Sequence, residues 1–129
     1  MPRAGVREER LRATTGVRQA ATMSSWRGAS GRRYVVGVQA GVTADAADLD
    51  AAVLIAVRRS GDGIASVVDV VAPEPGSTRR ARLRWLALMR TRGATEMHVH
   101  LLAEDEAERD AIRRDLAACG AADRAPARV

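Results

Sequence analysis

Two apolar runs separated by a short turn constrain the fold of this chain more than any other feature. Residues 52–58 are apolar at nearly every position, and residues 64–72 are rich in valine. The residues between them tolerate the backbone angles of a tight hairpin: they are Ser60, Gly61, Asp62 and Gly63. The sequence therefore predicts a β-hairpin whose first strand is buried on both faces.

Two more strands are predicted outside this hairpin. Residues 33–42 contain a β-branched run, which favours an earlier strand. Later in the chain, Met97, Val99 and Leu101 alternate with polar residues, and this alternation is typical of a strand with one polar face.

Two helices complete the predicted core. The first spans residues 78–92, with Ser77 as its N-cap and Gly93 at its C-terminal end. The second begins with a capping box at Asp105 and ends at Gly120. The order β-β-β-α-β-α predicts an α/β fold with a mixed sheet of about four strands and helices packed on it.

The length of 129 residues and an apolar fraction of 47% fit one domain. We expect a flexible Arg-rich leader over residues 1–31, a single α/β domain over 32–120 and a frayed tail over 121–129. Met23 is a second candidate for the translation start. The single cysteine, Cys119, falls on the apolar stripe of the last helix, as expected of a buried thiol rather than a nucleophile.

The charge is unevenly distributed along the chain. All 21 basic residues are arginine, and eight of them fall within residues 1–33 beside only two acids. The leader is therefore either a solvated tail, which the pattern favours, or a segment that attracts nucleic acid. No apolar window reaches the roughly 18 residues of a membrane span, and no signal-peptide pattern occurs. We expect a cytoplasmic protein with no membrane partner.

The start of the first predicted helix is the best candidate binding site. Free N–H groups at a helix N-terminus attract anions. Beside Ser77 and Thr78 the sequence places a cluster of arginines: Arg79, Arg80, Arg82 and Arg84. Because the helix dipole repels unliganded arginine at this end, the cluster favours a small anionic ligand over a purely solvated face.

Other motifs favour structural interpretations. Arg58, Gly61 and Gly63 match part of a phosphate loop, but the β-branched segment that follows favours a hairpin turn. His98 and His100 share a strand face with Glu96, yet no spacing fixes a third metal ligand, so we predict an open or edge face there and no metal. A further set of acids is expected to be solvated: Asp45, Asp48, Asp50, Asp69, Glu104 and Asp105.

Residues 65–120 resemble the core of the GNAT family of N-acetyltransferases. The likeness rests on four runs of residues: 70–74, 90–94, 97–107 and 119–120. It implies acetyl-CoA as the cofactor, with its pyrophosphate on the N-terminus of the first helix. The implied cofactor-binding residues are Val70, Val71, Gly76, Ser77, Thr78 and Arg80. No tyrosine follows Tyr34 as a general acid, so the resemblance names no catalytic residue.

A competing resemblance is to ribonuclease H-like nucleases. The run Val36, Gly37, Val38, Gln39 is similar to their first strand, with Gln39 where the family has a metal-binding aspartate. This resemblance implies a catalytically degenerate, nucleic-acid-associated domain. Three hypotheses therefore stay open: an acetyltransferase-like domain that binds an anionic ligand, a nucleic-acid-associated domain, and a protein interaction module.

Overall fold

A computed structural model describes residues 6–10 and 22–127, which form six strands and two α-helices. The strands are β1 (Arg7–Arg10), β2 (Thr22–Arg27), β3 (Arg33–Ala40), β4 (Val53–Arg59), β5 (Ala65–Val71) and β6 (Glu96–His100). The helices are α1 (Arg79–Thr91) and α2 (Glu106–Ala127), and a short 3-10 helix spans Ala44–Asp48. No described helix is long and apolar enough to cross a membrane.

All six strands belong to one antiparallel sheet in the order β1-β2-β3-β6-β4-β5. The sheet curls into a nearly closed barrel, so that its two edge strands, β1 and β5, approach each other. Helix α1 carries the chain from β5 past β4 to β6. This crossover places β6 on the far side of β4, parallel to β5. Strand β6 therefore lies antiparallel to both of its neighbours, β3 and β4.

The predicted mixed sheet of about four strands is wrong. The two missing strands, β1 and β2, lie within the range assigned to the leader; residues 1–5 and 11–21 of that range lie outside the described residues. Strand β2 pairs with β3 along its whole length, and Trp26, opposite Tyr34, is fully buried. Pairing with a neighbouring strand therefore outweighs the local turn signals that indicated a linker.

The predicted hairpin is confirmed by the pairing of β4 with β5. Helix α1 begins one residue later than predicted, because Thr78 rather than Ser77 is the N-cap and its Oγ1 accepts from the Ala81 N–H at 3.0 Å. Helix α2 continues through Gly120 to Ala127. The side chain of Cys119 lies outside the described part of the chain.

The two faces of the sheet have different coverings. On the outer face, α1 and the 3-10 helix cover a cluster of apolar residues that includes Leu54, Met97 and Leu86. On the inner face, Ile112 and Leu116 of α2 pack against side chains inside the barrel. These inner side chains include Trp26, Tyr34, Val36, Val53, Ile55, Val57 and Val70.

Asp115 fixes α2 to the turn between β2 and β3. Its carboxylate accepts hydrogen bonds from the Ser30 N–H at 2.8 Å, the Ser30 hydroxyl at 2.7 Å and the Tyr34 hydroxyl at 2.6 Å. Burial, and then the neighbouring carboxylate, raise the pKa of Tyr34 to about 12. The phenol therefore keeps its proton and remains a donor to Asp115.

Candidate functional site

A cavity of about 1000 Å³ lies between α1 and α2, beside the edge strand β5. Its lining includes Val70, which belongs to the inner core, and Val71, which packs against the outer core. Neighbouring side chains of a strand point to opposite faces, so the cavity spans the edge of the sheet. The remaining apolar lining consists of Leu54, Ala72, Pro73, Ala81, Trp85 and Ala107.

The polar lining of this cavity carries four arginines and three acids. They are Arg82, Arg109, Arg113 and Arg114 with Glu74, Glu106 and Asp110. Arg113 and Arg114 both donate hydrogen bonds to Asp110. The guanidinium of Arg109 has no hydrogen-bond or ion-pair partner among the described residues. Arg109 is therefore the cation most available to a ligand.

Arg82 fixes the position of the α1 side of the cavity. Its Nε donates to the Ser77 hydroxyl at 2.8 Å, and its Nη1 donates to the carbonyl oxygens of Ala47 and Leu49 at 3.1 and 3.3 Å. It also pairs with Asp50 at 3.1 Å. Arg82 thus holds the start of α1 against the segment that follows the 3-10 helix.

The six residues implied by the acetyltransferase resemblance divide into two groups. Val70, Val71 and Ser77 line the cavity, whereas Gly76, Thr78 and Arg80 do not. The oxygens of Ser77 and Thr78 already have partners: Ser77 Oγ donates to the Glu74 carbonyl at 2.8 Å and accepts from Arg82, and Thr78 caps α1. These hydroxyl groups therefore serve the structure of the helix start.

Sequence reasoning did not find the α2 side of the cavity. Arg109, Arg113 and Arg114 were treated only as part of the charge balance of the chain. The signal was present in their spacing, because positions 109 and 113 lie on one helix face four residues apart. Placing that face opposite α1, however, required the packing of α2 on β5.

A second polar group, the barrel cluster, consists of Glu8, Arg59, Glu96 and His98 on the inner face. Arg59 Nη2 lies 2.9 Å from Glu8 Oε2 and 2.7 Å from Glu96 Oε1, and Arg59 Nε donates to Glu96 Oε2 at 3.1 Å. The side chains of Arg59, Glu8 and Glu96 are 17%, 8% and 14% exposed, and that of His98 is fully buried. These short contacts keep opposite charges paired in a poorly solvated place.

The pKa values of the barrel cluster follow from this pairing. Burial alone would raise the pKa of Glu8, but hydrogen bonds from Arg59 and Ser24 outweigh it and lower that pKa. The hydrogen bond from Arg59 also lowers the pKa of Glu96. Burial lowers the pKa of His98, in spite of the opposing effect of Glu96. Near neutral pH the two carboxylates are therefore ionised and His98 is neutral.

Trp26 determines which nitrogen of His98 carries the proton. The indole N–H can only donate, and it lies 2.8 Å from His98 Nδ1, so Nδ1 must accept. The proton of the neutral ring is then on Nε2, which faces Glu96 Oε1 at 2.7 Å. His98 connects Trp26 to Glu96 as an acceptor on one side and a donor on the other.

The geometry of the barrel cluster brings together ligand atoms of Glu8, Glu96 and His98 within 4.8 Å of one another. The hydrogen bond from Trp26 nevertheless leaves a proton, and no free lone pair, on the nitrogen that faces the carboxylates. Arg59 already supplies the cation between them. The barrel cluster is therefore organised as an ion-pair network and not as a metal centre.

The second histidine and the other acids named in the sequence analysis lie apart from this cluster. Nδ1 of His100 contacts the Val35 carbonyl at 2.7 Å, and its ring packs edge-on against Tyr34. Asp48 pairs with Arg79 at the surface, and Asp69 accepts from the Trp85 indole at 3.1 Å. His98 and His100 share the inner face as predicted, but that face is the barrel interior rather than an open or edge face.

Comparison with protein-family models, curated proteins and solved structures finds no match to this chain. The fold and the site therefore define its class: an antiparallel barrel-like sheet with a helix on each face and a cavity between the two helices. A function must be argued from the residues of that cavity.

Proposed function

We propose that the protein binds an organic anion with an apolar body in the cavity between α1 and α2. The observation that carries the proposal is the combination of an apolar floor at the end of β5 with the unpaired guanidinium of Arg109. Ligand sites typically pair an apolar wall with a few polar groups that fix the orientation. The cavity combines both features.

The two ends of such a ligand would meet different residues. The apolar body packs against Val71, Pro73 and Trp85, whose surfaces lie in the cavity wall. The anionic group pairs with Arg109, whose planar guanidinium suits carboxylate or phosphate oxygens. Arg82 is occupied by its contacts to Ser77 and Asp50, and it contributes mainly to the shape of the cavity.

Acyl-CoA is the ligand class that we propose first. It carries phosphates and an apolar acyl chain in one molecule, which matches the two chemistries of the lining. The volume of about 1000 Å³ lies at the upper end of the range for small-molecule sites, so it suits a large ligand better than a free inorganic ion. Of the residues implied by the resemblance to N-acetyltransferases, Val70, Val71 and Ser77 line this cavity.

A thermal-shift titration of the full chain tests this proposal. Acetyl-CoA, CoA and octanoate are titrated separately, and we expect a saturable rise in Tm with at least acetyl-CoA, because a ligand that binds only the folded state stabilises it. Arg109→Ala should abolish the rise. Arg84→Ala removes the same charge from an exposed position outside the cavity and should preserve it.

A third variant separates the cavity from the helix start. Arg80→Ala removes an exposed arginine beside the N-terminus of α1 that does not line the cavity. If the ligand binds in the cavity, Arg80→Ala keeps the wild-type shift. The proposal fails if none of the three compounds raises Tm, or if Arg84→Ala or Arg80→Ala loses the shift as completely as Arg109→Ala.

A further inference from the structure

Helix α1 is strongly basic along its length. It contains five arginines and no acid between Arg79 and Thr91. Three of these arginines have partners: Arg79 pairs with Asp48, Arg82 with Asp50, and Arg90 donates to the Val42 carbonyl at 2.6 Å. The other two, Arg80 and Arg84, are exposed and have no hydrogen-bond or ion-pair partner among the described residues.

Two further exposed arginines extend this surface at the other end of the helix. Arg92 follows the last turn of α1, and the Arg58 side chain passes beside Gly93, where its Cδ lies 3.3 Å from the position of a Cβ. Neither has an ion-pair partner in the described part of the chain. We call Arg58, Arg80, Arg84 and Arg92 the α1 arginine face.

The α1 arginine face points away from the core and from the cavity. Leu86 and Met89 are the buried residues of α1, and Arg84 lies on the opposite side of the helix. Arg80 and Arg84 are one turn apart, roughly 6 Å along the axis. None of the four arginines lines the cavity. The protein therefore presents exposed positive charge on and beside α1 that does not line the cavity.

This arrangement is unfavourable without an anionic partner. Like charges at positions i and i+4 repel each other, as Arg80 and Arg84 do. Arginines in the first turn also oppose the positive end of the helix dipole, and no acid in that turn compensates for them. A partner with a linear array of negative charges would remove both penalties along the whole helix.

We propose that the α1 arginine face binds the phosphate backbone of a nucleic-acid duplex. A duplex is a regular linear polyanion, and guanidinium groups contact phosphate oxygens with matched geometry. The proposed contacts are to phosphate oxygens, which position a duplex without reading its sequence. The binding is therefore electrostatic and depends strongly on salt.

Fluorescence anisotropy with a short labelled DNA duplex of arbitrary sequence tests the proposal on the full chain. The variant Arg80→Gln/Arg84→Gln should weaken binding at low salt by on the order of tenfold. The slope of log K against log salt should fall by about 2, one for each lost phosphate contact. The matched control is Arg32→Gln/Arg33→Gln, which removes two exposed arginines near the β2–β3 turn and should retain the wild-type slope.

Three results would overturn the proposal. The first is that the full chain shows no salt-dependent binding to the duplex. The second is that the control variant loses as much affinity as the α1 variant. In the third, the protein binds vesicles containing anionic phosphatidylserine but not the duplex, which would assign the face to a lipid surface. Arg109→Ala should leave duplex binding unchanged, so this experiment and the acyl-CoA titration can fail independently.

Discussion

The outer and inner faces of the sheet come from the same strands, yet they are stabilised in different ways. In β6, Met97 and Val99 join a cluster of apolar residues on the outer face, whereas Glu96, His98 and His100 point into the barrel. In β4, Leu54 lies outside and Arg59 inside. Alternation along a strand thus separates an apolar layer from a layer that contains a hydrogen-bonded ionic network.

The two faces of the sheet should respond differently to substitutions and to pH. Apolar packing is roughly proportional to buried area and insensitive to pH. An ionic network depends on every member, because removing one partner leaves another charge buried without compensation. The inner face should therefore be sensitive to single charge changes and to pH, while the outer face should respond only to lost volume.

Removing the guanidinium from the barrel cluster should have the largest effect. In Arg59→Met, Glu8 and Glu96 lose the cation that lies 2.9 and 2.7 Å from their oxygens. We expect the free energy of unfolding to fall by about 3 kcal/mol near neutral pH. The loss should shrink as the pH falls towards and below the ordinary carboxyl pKa of 4.5, because protonated Glu8 and Glu96 no longer need the cation. Urea denaturation over a pH series measures it.

Two variants on the outer side sharpen this comparison. Arg58→Met changes the neighbouring arginine of the same strand, which is exposed and points to the opposite face, and it should alter stability by no more than about 0.5 kcal/mol. Leu86→Ala opens a cavity in the outer core and should cost about 3 kcal/mol at every pH. If the free energy of unfolding lost in Arg59→Met does not depend on pH, as expected for Leu86→Ala, the proposed difference between the two faces is wrong.

The contact between α2 and the β2–β3 turn should give an intermediate effect. A Cβ added at Gly28 would overlap with Asp115 Oδ2, and that carboxylate is held by Ser30 and Tyr34. We expect Gly28→Ala to lower the free energy of unfolding by about 2 kcal/mol, because the Asp115 carboxylate must leave its hydrogen bonds to Ser30 and Tyr34, or α2 must shift. Thermal and urea unfolding would measure this change.

Gly61→Ala is the matched control for this substitution. Nothing lies within 4 Å of a Cβ at Gly61, and its φ is not positive. The variant should therefore change stability by no more than about 0.5 kcal/mol. Equal losses in the two variants would show that the approach of Asp115 to Gly28 does not decide the result.

Most of the outer layer could be predicted from the sequence. The apolar run of β4, the valines of β5 and the apolar positions of α1 follow simple periodicities, and the hairpin between β4 and β5 was predicted on that basis. The lining of the cavity could be predicted only in part. Val70, Val71 and Ser77 were named, but the contribution of Arg109 depends on how α2 packs against β5.

The ionic network of the inner layer could be predicted only in part, for a physical reason. Charged residues in a strand normally indicate a solvated face, and Glu8 and Arg59 carry no local signal that they meet inside a barrel. Their meeting requires β1 to pair with β2 and the sheet to curl, which are long-range events. Trp26 was the clearest clue, since a large aromatic residue in a chain with so few needs a buried place.

The smallest expected effect is a pH dependence that originates in His98. Protonation would place an N–H on Nδ1, facing the indole N–H of Trp26 at 2.8 Å, and burial also lowers the pKa of the ring. The unfolded chain takes up this proton at the ordinary pKa of 6.5, before the folded protein does. Since the unfolded state then binds more protons, the free energy of unfolding falls as the pH drops below 6.5.

The variant His98→Gln isolates this contribution from that of the carboxylates. Glutamine has no proton to gain in this range, so the decline just below pH 6.5 should become shallower than in the wild type. The decline below pH 4.5 should persist, because Arg59 and its hydrogen bonds still lower the pKa values of Glu8 and Glu96. Equal slopes for the two proteins between these pH values would contradict a lowered pKa of His98, and the inner face would then owe its pH response to the carboxylates alone.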